Sequence, residues 1–470
     1  MIEQFLRVVT ALLMALVLTP CTARAESPVA LTHGVAVGEV SSSAAIVWGR
    51  CERASTFRLR IGVTVWEEPA IAARDNTATI ALSDLMPDTT YRYRAWCGSD
   101  ESGSVDGSFR TAPRADEAAP VRFAWGADVG GQNVCRDAQR GYFIFERLLA
   151  RRPAFFLGLG DMIYADDACR DVGLYHNAQS PGPDASTERR ASFWEHWRYS
   201  RADRAMQQFL LATPYFPTWD DHEIANDAGP KDDTLPTTPS HHRFAGAREA
   251  FLDYQPMPRG QRFYRQIRWG RLLDVFILDT RSYRDSKTAN DDGAAPKTML
   301  GAEQRRWLID GLRASEATWK FVVSSVPLAI PTYGDGWANG ESARGFEREL
   351  LAILQALEEA HVANMVWLSA DVHFAAGFRH TPFAGFSFLE FISGPLNAGM
   401  FPKADFDPTL NPERLFLFGG PLPQEVTAFE QAWPFFNFGE VDVAADGKLS
   451  VRVITAEGKT AFEGAYTPLP

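Results

Sequence analysis

Four short apolar runs downstream of Val121 each end in acidic residues, and that repetition restricts the fold more than any single motif. They are "FAWGADVGG", carrying Asp128; "LGLGDMIYADD", carrying Asp161 and Tyr164; "PTWDDHEIAND", carrying Asp221 and His222; and "WLSADVHFA", carrying Asp371 and His373. Runs of this length set between longer helical patterns read as buried strands of an α/β layered core, whose strand ends converge on one edge. The strands expected are "VRFAW", "AFFLGL", "YFPTW", "LLDVFIL", "WKFVVSSV", "NMVWLSA" and "FLEFIS". Helices are expected at about 141–152, 187–212, 242–254, 301–315 and 343–360. "FGEVDVAADGKLSVRVIT" reads as a hairpin turning at Asp446-Gly447. Taken one by one, the acids have ordinary explanations, such as turn former or helix cap. Gathered at one edge they repel, and proteins relieve such repulsion with pKa shifts or with cations. A two-metal hydrolytic centre accounts for all four at once.

The ligand chemistry narrows the metals. The chain has nine histidines and none between His242 and His361, so a centre here must draw on oxygen donors with few imidazoles. That disfavours zinc and favours Ca²⁺, Mg²⁺ or Mn²⁺, or a ferric ion held by anionic oxygens. Tyr164, three residues after Asp161, suits Fe³⁺, because a phenol of reference pKa about 10 needs a strong Lewis acid to ionise at neutral pH.

Upstream, a chain of 470 residues is too long for one hydrophobic core. Residues from about 29 to 113 alternate apolar and polar in short runs, which spells a small antiparallel sandwich. Trp48 and "LMPDTTYRYRAW", with Leu85, Pro87 and Tyr91, resemble a fibronectin type III domain, in which the tyrosine locks a corner. The expected organisation is therefore a leader over 1–25, an all-β domain over 27–113, and a catalytic domain over 118–470. The apolar run from Val8 to Leu18, followed by Ala23-Arg24-Ala25, has the pattern of a secretory signal, which places the protein in the periplasm or outside the cell. Cleavage leaves four cysteines in an oxidising compartment; pairing within each part, Cys51 with Cys97 and Cys135 with Cys169, is the expectation, and other pairings stay open. No later stretch has the apolar length of a membrane span. A net charge of -12 excludes nucleic acid as a surface-bound partner.

"GDMIYADD", "WDDHEIAND", "FILDTRSYRD" and "SADVHFAAGF" together resemble the alkaline phosphatase D family, calcineurin-like metallophosphoesterases with a preceding small β-domain. The resemblance implies a layered β-sandwich flanked by helices, an iron ion with one or more calcium ions, and hydrolysis of small phosphate mono- and diesters. Carried over by position, Asp161 bridges the metals, Tyr164 and His373 complete an iron site with a ligand after the first strand, and Asp221 and Asp371 hold the calcium-type metal. His222 protonates the leaving oxygen or steadies the transition state. Asn226 is a weaker site candidate, as is Asp220, and "PTYGDGWANGESARGF" implies Asp335 and Trp337 at the substrate mouth. One departure matters: relatives place a cysteine after the first strand, where this chain has Asp128, with Cys135 further on. Asp128-Val129-Gly130 instead resembles purple acid phosphatases, whose third motif this chain lacks. Two rival readings are a phospholipid-cleaving diesterase, suggested by the apolar "FAAGFRHTPFAGFSF", and a calcium-stabilised binding protein without catalysis. Oligomeric state is not legible.

Overall fold

A computed structural model of the chain describes residues 28–232, 240–260, 262–293, 297–401 and 405–469. The expected leader over 1–25 lies outside the described residues. The first strands are β1 (Leu31–Gly38), β2 (Ala45–Cys51), β3 (Ser55–Ile61), β4 (Thr64–Ala70), β5 (Thr77–Leu82), β6 (Thr90–Cys97) and β7 (Val105–Arg110). They form two antiparallel sheets, ordered β1-β2-β5 and β4-β3-β6-β7. The Cys51–Cys97 disulfide joins β2 of one sheet to β6 of the other. The Tyr91 hydroxyl accepts the Met86 N–H at 2.7 Å, closing the corner expected of that tyrosine.

After the linker come β8 (Val121–Gly126), α1 (Ile144–Arg151), β9 (Phe156–Leu159), α2 (Arg190–Arg201), α3 (Arg204–Ala212), β10 (Tyr215–Thr218), α4 (Ser240–Tyr254), β11 (Arg265–Trp269) and β12 (Leu273–Ile277). Then follow α5 (Gly301–Ala314), β13 (Trp319–Val323), α6 (Glu347–Glu359), β14 (Met365–Ser369), β15 (Ala375–Phe383), β16 (Phe386–Ile392), β17 (Pro412–Phe418), β18 (Asn437–Val443), β19 (Leu449–Thr455) and β20 (Thr460–Tyr466). One sheet is ordered β10-β9-β8-β18-β19-β20 and the other β11-β12-β13-β14-β16-β15-β17. Their inner faces meet through aromatic side chains: Phe123 stands edge-on to Phe321 at 5.3 Å, Phe155 lies 4.9 Å from Trp269, and Phe416 stacks on Phe462 at 3.9 Å. Aromatic pairs of this kind add stabilisation beyond the area they bury.

The expected mixed α/β core is present, but three expectations need correction. The acid-bearing strands do not share one sheet: β8, β9 and β10 lie in the first and β14 in the second, so their ends converge across the lip of a sandwich. The helix expected over 187–212 is two helices, because Asp203 breaks it by accepting the Met206 N–H at 2.9 Å as the cap of α3. The apolar "FAAGFRHTPFAGFSF" supplies β15 and the start of β16, and its Phe374, Phe378, Phe386 and Phe388 are buried, which leaves them no role at a lipid surface.

The small sandwich packs firmly on the helices. Buried Trp48 donates from Nε1 to the Asp253 carbonyl at 2.7 Å. Asp75 gathers Arg50 at 3.1 Å, Arg198 at 2.7 Å and the Tyr254 hydroxyl.

Candidate metal centre

Each acid-bearing segment leaves its strand through a tight, specified bend. Asp128, Asp161, Asp371 and His373 have φ of 67°, 51°, 74° and 56°, a region that costs a residue with a Cβ about 1 kcal/mol or more and persists only where the surroundings over-determine it. Here the surroundings are explicit. The buried Glu223 carboxylate accepts N–H groups from Asp161 at 3.0 Å, Met162 at 2.9 Å and Asp220 at 2.8 Å, tying the ends of β9 and β10 together. Val129 N–H donates to the Asp161 carbonyl at 2.7 Å, and Asn397 N–H donates to the Asp128 carbonyl at 2.9 Å. The end of β8 is thereby fastened to its own sheet on one side and to the opposite sheet on the other. Only glycine fits at position 394, where a Cβ would stand 2.4 Å from Asp128 Oδ2.

Asp128, Tyr164 and His373 form the first group of donors. The Gly399 carbonyl can only accept, so His373 bonds it through Nδ1–H and keeps its lone pair on Nε2. That nitrogen faces the Tyr164 hydroxyl at 2.9 Å and Asp128 Oδ1 at 3.6 Å. Burial lowers the His373 pKa to about 3, so the ring is neutral. Both carboxylate oxygens of Asp128 are buried without a hydrogen-bond partner. Burial, then the charge of Asp220, pushes the Asp128 carboxyl well above the ordinary range. Tyr164 is raised in the same way by burial and by Asp161.

Asp161, Asp221 and His222 present ligand atoms within 4.8 Å of one another, and so do Asp220, Asp221 and Asp371. Asp221 belongs to both groups. Its Oδ2 accepts the Asp227 N–H, while its Oδ1 is buried with no hydrogen bond. Buried oxygens without donors, beside an imidazole oriented by a carbonyl on its far nitrogen, are the arrangement a cation site requires. The donor set is mostly carboxylate with a phenol and imidazole, which fits hard cations or a ferric ion. Cys135 offers no ligand, since its sulfur is bonded to Cys169, and Asp128 occupies the position after the first strand.

His222 sits between the groups. Its ring stacks on Tyr164 at 4.1 Å, its backbone N–H donates to Asp161 Oδ1 at 3.1 Å, and its Nδ1 meets Asp166 Oδ1 at 2.8 Å. Burial opposes a charge on this ring, but Asp166, Asp221 and Asp161 outweigh it and hold the pKa well above the ordinary value.

Asn226 lies exposed beside this pair and gives its backbone N–H to Asp166 Oδ2 at 2.7 Å. Asp335 and Trp337 are not at a mouth. Trp337 is fully buried and bonded to Ser324 at 3.1 Å. Asp335, 2% exposed, is gripped by both Nη atoms of Arg281 at 2.6 and 2.7 Å.

Sequence reasoning missed Asp166 and gave Glu223 and Arg281 no role. Asp166 stands inside "GDMIYADD", yet no spacing rule links it to His222, since the two meet only in space. Arg281, in "FILDTRSYRD", carried the one available signal, an arginine four residues after a buried strand.

The chain matches the model of the PhoD-like phosphatase family over residues 123–417 and that of the PhoD-like phosphatase N-terminal domain over 17–113. It is 24% identical over 383 residues to alkaline phosphatase D of Bacillus subtilis (strain 168), a match spanning 73% of this chain and 64% of that relative. A solved structure of PhoD superposes with a TM-score of 0.72 at 21% identity, covering 93% of this chain and 88% of that one. A purple acid phosphatase from yellow lupin (Lupinus luteus) seeds superposes with a TM-score of 0.61 at 12% identity, covering 93% and 74%. The first family model covers more than half of the chain, the second spans its small sandwich, and the fold they imply is the one observed: the chain belongs to the PhoD-like phosphatase family.

Proposed function

We propose that this protein hydrolyses small phosphate esters, monoesters or diesters, outside the cytoplasm, with two cations held at the lip of the sandwich. The observation that carries this reading is the set of buried, donorless carboxylate oxygens on Asp128 and Asp221, arrayed around His222. Asp128, Tyr164, His373 and Asp161 would hold a first ion, Fe³⁺ by the chemistry of the phenol. Asp161, Asp221 and Asp371 would hold a second, Ca²⁺ or else Mg²⁺ or Mn²⁺. When bound, the ions would neutralise phosphoryl oxygen charge and acidify a water for in-line attack. His222 is the proton donor to the leaving oxygen: Asp166 fixes its Nδ1 and stabilises the imidazolium, leaving the Nε2 proton to transfer. Asn226, exposed beside it, is the proposed substrate contact. The all-β domain over 27–113 and the catalytic domain over 118–470 form one working unit, and the two disulfides support an oxidising compartment.

The test is elemental analysis of the purified protein together with hydrolysis of p-nitrophenyl phosphate and bis(p-nitrophenyl) phosphate before and after chelation. Two ions per chain, loss of turnover on their removal, and a visible absorption band from tyrosine-ligated ferric iron are expected. Undiminished turnover in metal-free protein refutes the scheme.

A further inference from the structure

The acids around Asp221 outnumber the charge one divalent ion can offset: Asp161, Asp220, Asp227, Asp335 and Asp371 all present oxygens in the clusters that Asp221 joins. Behind them lies Arg281, a guanidinium with no exposed surface, on the segment that follows β12. Its Nε donates to Asp220 Oδ1 at 2.5 Å, and its two Nη atoms donate to the two oxygens of Asp335 at 2.6 and 2.7 Å. It approaches Asp221 Oδ1 only to 3.6 Å, too far for a hydrogen bond. Asp220 Oδ1 takes a second donor, Ser325 Oγ, at 2.6 Å, and Asp335 also pairs with Arg284 at 3.1 Å. Lys287 pairs with Asp227. The protein's own cations therefore engage Asp220, Asp227 and Asp335. Among the described residues, no lysine or arginine hydrogen-bonds the side chains of Asp161, Asp221 or Asp371.

We propose that Arg281 is a positioning residue that divides this acid cluster, locking Asp220 and Asp335 into an internal ion-pair network and so leaving Asp161, Asp221 and Asp371 to the second cation. The proposal rests on the phosphoesterase reading above. A planar fork of five N–H donors spans the two carboxylates, one of them bidentately; a lysine ammonium at the same place is a point charge and cannot. The segment of Asp220 and Asp221 is then held from behind by Asp220, while Oδ1 of Asp221 stays without a donor.

The experiment uses the full chain as purified, comparing wild type with Arg281→Lys and with the double variant Arg281→Met/Asp335→Asn, which removes the guanidinium together with the carboxylate it grips bidentately. Metal content is measured by elemental analysis, release of the second ion by transfer to EGTA, and turnover with p-nitrophenyl phosphate. Both variants are expected to release that ion about tenfold faster or more, with kcat falling more than KM changes. If Arg281 acted only through its charge, Arg281→Lys would behave as wild type, and that result in metal-loaded protein overturns the proposal alone. Wild-type protein that purifies without a second ion overturns the phosphoesterase reading and the proposal with it.

Discussion

At the residue scale, Asp128 shows how far binding and folding pull apart. Its carboxylate is buried with neither oxygen bonded, a cost of roughly 1–3 kcal/mol for an unsatisfied buried group unless a cation is present. In metal-free protein the Asp128, Asp161 and Asp371 carboxyls are all raised, first by burial and then by neighbouring acids. Such groups hold protons in the folded chain that the unfolded chain has already lost. The folded state then binds more protons, so stability falls as pH rises above about 4 toward the raised values and returns on acidification. Asp128→Asn should flatten that dependence and stabilise the metal-free protein at pH 8 by about 1–2 kcal/mol, while cutting turnover by about 100-fold or more. Thermal melts across pH and an ester assay check both halves. For the proposed proton donor, His222→Ala and Asp166→Asn should lower kcat by about 100-fold or more on an alkyl phosphate and far less on p-nitrophenyl phosphate, whose leaving group needs no proton. Equal losses on the two substrates would remove the proton-transfer role. The grouping of Asp128, Asp161, Asp221 and Asp371 is legible because each follows an apolar strand within a few residues, and Tyr164 and His373 ride on the same segments as Asp161 and Asp371. Asp166 was not, because its partner is 56 residues away and no local pattern encodes the pairing.

At the scale of elements, apolar strands read clearly from sequence, whereas breaks within helical patterns did not. The pattern over 187–212 keeps helical periodicity through Asp203, yet that side chain caps α3 with one oxygen and accepts the Tyr142 N–H at 2.9 Å with the other. A cap that also serves a neighbouring loop is a tertiary decision, so periodicity could not reveal it. Asp203→Ala should therefore cost more than an isolated cap, about 2–3 kcal/mol from the lost cap and the stranded N–H together, and leave kcat unchanged; denaturant titration beside an activity assay measures both. Strands β15, β17 and β20 were passed over for another reason. Their mixed composition, as in "PERLFLF" and "TAFEGAY", gains its strand character from pairing that no local pattern shows: β15 lies between β16 and β17, and β20 closes the sheet edge against β19.

At the scale of the molecule, the small sandwich is bound to the helices by groups that tolerate water poorly. Trp48 is fully buried against Tyr254 at 5.6 Å, and Asp75 joins Arg50 within the sandwich to Arg198 and Tyr254 beyond it. Expression of residues 118–470 alone should therefore give aggregated protein or a thermal midpoint many degrees lower, because the cut strands Tyr254 and Arg198 without their partners. A soluble fragment with the full-length midpoint would show that the sandwich is dispensable. The convergence of strand ends across two sheets, rather than along one, has a further consequence for how the protein ages. If held as proposed, ions clasped by side chains from both sheets would act as rivets through facing plates: the plates could not slide until the rivets were drawn. Slow inactivation in storage should then keep pace with leakage of the ions into the buffer, and a trace of free metal should preserve the protein better than any additive that merely favours compactness.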